Sequence, residues 1–150
     1  MLAQAGVRIT SRATSRVRFQ RLALLRIREA EALYAAKCYS GAYYLAGYAV
    51  ECALKAAICK GFQRHSLPER ALVQKAFVHN LGELVVTAGL QRDLHDTLRS
   101  DPELAANWAV IRDWKETSRY RHNVRLNAKD LILAISGQHS PFLELIRARW

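Results

Sequence analysis

The segment NWAVIRDWKETSRYRH, residues 107–122, holds the side chains best suited to chemistry. Trp108, Arg112, Lys115, Arg119 and His122 follow one another at intervals of 4, 3, 4 and 3. A helix persisting that far would carry all five on one face. Arginine grips phosphate with a planar fork, lysine with a point charge, and a histidine can move protons near neutral pH. The stripe Arg112, Lys115, Arg119 is therefore a candidate for holding a nucleotide or an RNA backbone. Basic residues on a helix are also commonly a solvated face, and Asp113 and Glu116 dilute the field here. Spacing alone favours that plainer reading.

A second chemically loaded stretch is GAYYLAGYAVECALKAAICK, residues 41–60, an apolar run with Glu51 and Lys55 near its middle. About 20 apolar residues suffice to cross a bilayer. Each central charge, however, opposes insertion by roughly 2.5–3.5 kcal/mol. Four residues apart, Glu51 and Lys55 can pair on one helical face, so the run reads as a buried helix without a membrane role. Cys38, Cys52 and Cys59 are odd in number, and no export signal is evident, which predicts reduced thiols in a cytoplasmic protein. Cys52 and Cys59 share a face but lack partners at zinc spacing, so no metal or other cofactor is expected. His79, just before a helix cap, is expected to bond locally. His65, His95 and His139 fall in loops or exposed stretches. Gly-rich phosphate loops, nucleophile elbows and H-E-x-x-H pairs are missing from the sequence.

The elements that must position these groups read as helices throughout. With 150 residues, 51% hydrophobic and 24% charged, the chain suits one domain with one core. Its net charge of +10 is concentrated at the start: seven arginines precede the first acid, Glu29, leaving +3 for the rest. Residues 1–20, rich in Arg, Ser and Thr, read as a basic, disordered tail, with residues 21–150 forming the bundle. The first helix covers about 20–38, with Ala23, Ile27, Ala30 and Tyr34 as its apolar stripe. A break at Ser40-Gly41 leads into the 41–60 helix, apolar on most sides and so central. Ser66 and Pro68 open a short helix. Asn80 and Glu83 form a capping box for a helix ending at Gly89, and Ser100 and Glu103 a second box. The helix behind that second box runs to about 119–122. The last region begins near Asn127, breaks at Ser136-Gly137 and restarts at Ser140-Pro141. The fold class expected is an all-α, up-and-down bundle of four to five main helices.

The string REAEALYAAKCYSGAYYLAGYAVECALKAAICK resembles the first two helices of HEPN (higher eukaryotes and prokaryotes nucleotide-binding) domains. HNLGELVVTAGL is similar to their third helix. NWAVIRDWKETSRY resembles the W-x-x-x-x-D-W-x-x-x-S-R-Y segment of small bacterial members, and ISGQHSPFLELIRARW their C-terminal helix. The resemblance spans about residues 21–150. It implies a homodimeric bundle, with roles in RNA cleavage, nucleotide binding, or pairing with a small nucleotidyltransferase in toxin–antitoxin-like systems. Catalytic members carry an Arg, four to six residues, then a His. Only two residues separate Arg119 from His122 here, nine separate Arg112 from it, and the residue at the right distance is Lys115. The departure implies a non-catalytic module binding nucleotide, RNA or a partner nucleotidyltransferase through Arg112, Lys115 and Arg119. The alternative is a metal-independent endoribonuclease using Arg119 and His122 as a degenerate motif. The resemblance also suggests a structural ion pair from Arg119 to Glu51, beside that of Glu51 with Lys55.

Overall fold

The computed structural model describes residues 16–62 and 67–150. Expectations about residues 1–15, and about Ser66 as a helix start, lie outside these. The fold is an all-α bundle. In chain order its helices are α1 (Arg16–Ala35), α2 (Tyr39–Lys60), α3 (Arg70–Ala76), α4 (Leu81–Thr87), α5 (Gln91–Ser100), α6 (Pro102–Arg112), α7 (Arg125–Ser136) and α8 (Phe142–Arg147). A short 3-10 turn, Glu116–Tyr120, separates α6 from α7. Residues 16–20, assigned to the tail on sequence, form the first turns of α1. Among the described residues, no helix is long and apolar enough to cross a membrane.

Helix α2 is the axis of the bundle. It packs against α1, α4, α7, α8 and the 3-10 turn. Ala46, Ala49, Ala53 and Ala56 have no exposed surface, and neither do Val50 and Leu54. Small side chains let neighbouring helices approach closely, and the larger ones lock them. Burying a Leu or Val side chain is worth about 1.5–3 kcal/mol. From α1, Ala23, Ile27 and Ala30 fill the facing side at the predicted spacing. Leu131, Ala134 and Ile135 of α7 and Phe142 and Ile146 of α8 close the core.

The boundaries differ from the sequence expectation where local hydrogen bonds compete. The α1–α2 break falls at Ala36–Cys38, not at Ser40-Gly41. Lys37 takes the left-handed conformation (φ 63°), and the Lys37 and Cys38 amides donate to the Tyr34 and Leu33 carbonyls at 3.0 and 2.8 Å. That is a Schellman closure made without glycine. Asn80 caps α4 as expected, its Oδ1 accepting from the Glu83 amide at 3.0 Å. At the far end Gly89 takes φ 71°. The cap of α6 is Asp101 instead of Ser100: its Oδ1 accepts from the Leu104 amide at 2.9 Å, and Ser140 donates to its other oxygen at 2.6 Å. Ser100 ends α5, its hydroxyl donating to the Thr97 carbonyl. An aspartate directly before Pro102 satisfies the first turn better than a serine one residue earlier.

The largest difference concerns α6, which stops at Arg112. Trp114, 1% exposed, turns inward onto α2. Its indole lies over Gly47, where a Cβ would come within 2.3 Å of the ring. Burying the indole there outweighs extending an exposed helix by two turns. The chain then re-enters as the 3-10 turn, with Ser118 also buried.

A candidate phosphate-binding site

Because α6 ends early, the 4-3-4-3 face is dissolved and its five residues disperse. Trp108 stays on α6 and stacks on Phe142, centroids 4.9 Å apart. Arg112 ends α6 and Lys115 follows Trp114, both exposed. Arg119 points elsewhere. Its guanidinium sits over the Tyr120 ring, 4.9 Å from the centroid. Hydrogen bonding to Tyr120, and next to Tyr44, holds it more firmly protonated. His122 is exposed and makes no hydrogen bond or ion pair with the described residues.

Arg112 and Lys115 border two adjoining hollows. The first, about 320 Å³, also meets Tyr43, Ser118, Arg121 and Asn123. Asn123 is tied back to the start of α2, its amide donating to Ser40 Oγ at 2.9 Å. Among the described residues, its Nδ2 and the buried Ser118 Oγ find no hydrogen-bond partner. Burial pushes the Tyr43 phenol up, Asp113 adds to this and Arg121 opposes it. Among the described residues, Asp113 is the one acid on this hollow against Arg112, Lys115 and Arg121, and its contact with Arg112 is loose, at 3.9 Å. The net field there favours an anion.

The second hollow, about 330 Å³, shares Arg112 and Lys115 and extends to His79, Asn80 and Trp114. Trp114 Nε1 is buried and has no hydrogen-bond partner among the described residues. Glu83 and Glu116 line it too, so its two fixed cations face two acids and it is more balanced in charge than the first. Arg121, Tyr43 and His79 were absent from the sequence-derived site. Each is placed by a contact between segments far apart in the chain, which spacing along one helix does not encode.

Behind the second hollow lies the acid of the apolar helix. Glu51 is 2% exposed, and Lys55 Nζ donates to its Oε1 at 2.7 Å. His79 Nδ1 lies 2.9 Å from Oε1 and 3.1 Å from Oε2. The cations matched to Glu51 are thus Lys55 and, when protonated, His79; Arg119 is instead held by Tyr120 and by Tyr44, nearer the start of α2. The expectation of a purely local bond for His79 is likewise corrected, since its partner is 28 residues away. Burial, with Glu51 adding, pushes the neighbouring Cys52 thiol up to about 12. Cys52 therefore stays a protonated core group.

Comparisons with protein-family models, with curated proteins and with solved structures find no match to this chain.

Proposed function

We propose that this protein is a HEPN-like, homodimeric, non-catalytic module that binds the phosphate backbone of RNA, with a partner nucleotidyltransferase in a toxin–antitoxin-like pair as its setting. The observation that carries the reading is the pair of hollows joined at Arg112 and Lys115, with Arg121 deepening the positive field of one of them. Three cations spread over adjoining hollows suit successive phosphates of a strand better than one mononucleotide. The endoribonuclease alternative requires Arg119 and His122 to converge on one phosphate. Arg119 is instead engaged by Tyr120 and Tyr44, which favours binding over cleavage by that pair.

The test is fluorescence anisotropy with a labelled single-stranded RNA, at several salt concentrations. Arg112→Ala/Lys115→Ala is expected to weaken binding and to reduce the slope of log affinity against log salt by about 1.4, at roughly 0.7 for each phosphate no longer neutralised. An unchanged affinity and slope in the double variant would remove the site.

A further inference from the structure

His79 occupies an unusual position in this basin. One ring nitrogen is committed to a buried acid, while the side chain remains 49% exposed on the hollow that Arg112 and Lys115 share. An ionised carboxylate only accepts hydrogen bonds, so the Nδ1 facing both Glu51 oxygens must carry the hydrogen. Lys55 donates to the same carboxylate at 2.7 Å as its ion-pair partner. In a neutral ring that fixes the tautomer and leaves Nε2 as an acceptor with a free lone pair. Nε2 makes no hydrogen bond within the described residues. Arg112 and Lys115, which share this hollow with Glu83 and Glu116, are the groups on it that recognise phosphate, which RNA and DNA share. A directed acceptor among them can exchange water for a donor on a bound strand, and the donor that RNA has and DNA lacks on its backbone is the ribose 2′-hydroxyl.

The geometry points to His79 as the sugar-reading residue of the basin: its Nε2 accepts a hydrogen bond from a ribose 2′-hydroxyl of a strand whose phosphates lie on Arg112 and Lys115. This rests on the reading that the basin holds RNA. Glu51 is then a positioning residue, acting through the ring it orients.

Labelled single strands of one sequence, as RNA, as DNA and as 2′-fluoro RNA, separate the possibilities in mildly alkaline buffer. The fluorinated strand keeps the charge of RNA but has no 2′ donor. Wild-type protein is expected to bind RNA roughly three- to tenfold more tightly than either of the others. His79→Asn retains an N–H for Glu51 at the Nδ1 position and deletes Nε2, and it should bind all three strands alike. His79→Gln, whose amide oxygen reaches further, should recover part of the preference. Equal binding of RNA and 2′-fluoro RNA by the wild type, or a preference that survives in His79→Asn, overturns the assignment while leaving RNA binding intact. Binding of none of the strands overturns both the assignment and the reading beneath it. The 2′-fluoro comparison needs no variant, so it decides the matter even if His79→Asn does not fold.

Discussion

Glu51 shows what a single ionised group does inside this bundle. It is enclosed by the core yet satisfied by Lys55 and His79, both of which reach toward solvent. Removing the acid leaves Lys55, only 13% exposed, without its carboxylate. Breaking a fully buried pair costs about 3–5 kcal/mol. Solvent access at Lys55 and His79 reduces this, so Glu51→Ala should lose roughly 2–3 kcal/mol of unfolding free energy, read as a lower urea midpoint with an unchanged slope. No change in the midpoint would mean that the cluster is energetically idle. The sequence made half of this visible. Four-residue spacing gives Lys55 directly, because both ends of that contact lie on one helix. The second partner, His79, comes from a separate helix junction, and nothing local to residue 79 signals where the α3–α4 connection lands.

At the scale of elements, the termination of α6 decides where the cations go. Helical periodicity is a local property, and residues 107–122 satisfy it well. What interrupts it is an indole seat on another helix, formed by Gly47. A glycine inside a helix costs about 1 kcal/mol relative to alanine in propensity alone. Here the methyl group would overlap the Trp114 ring, so Gly47→Ala should destabilise the protein in spite of that gain. Overpacking of this kind costs about 1–3 kcal/mol. Calorimetric melting checks it, and a stability equal to or above wild type would show that the ring shifts freely. The other boundaries were legible to different degrees. The stripes of α1 and α2 and the Asn80 cap rest on patterns within a few residues. The displaced α1–α2 break depends on Lys37 accepting a left-handed conformation usually left to glycine. The cap at Asp101 is itself local, and what lies beyond local reading is the hydroxyl of Ser140, 39 residues on, that donates to its other oxygen.

Over the whole molecule, charge is unevenly divided. Seven of the ten net positive charges precede Glu29, whereas Arg112, Lys115 and Arg121 are gathered around the hollow beside Tyr43. The two groups should act differently on a nucleic acid. On the proposed RNA-binding reading, arginines near the start would supply attraction that ignores the sugar, and the basin would supply position. Deleting residues 1–15, which removes Arg8 and Arg12, should weaken RNA and DNA binding in equal proportion and leave their ratio unchanged. Paired titrations of the shortened and full-length chains measure this, and a ratio that collapses toward unity would place sugar recognition in the first residues instead of the bundle.

The indole lodged against Gly47 ties these scales together. Arg112 stands two positions before Trp114 and Lys115 directly after it, so the same anchor that fastens the outer loop to the central helix also sets the spacing of the two cations. Warmth that first frees the ring would scatter the charges while most helices still stand. Grip on a polyanion should therefore fade ahead of the bulk melt, making loss of capture an early warning that the bundle has begun to come apart.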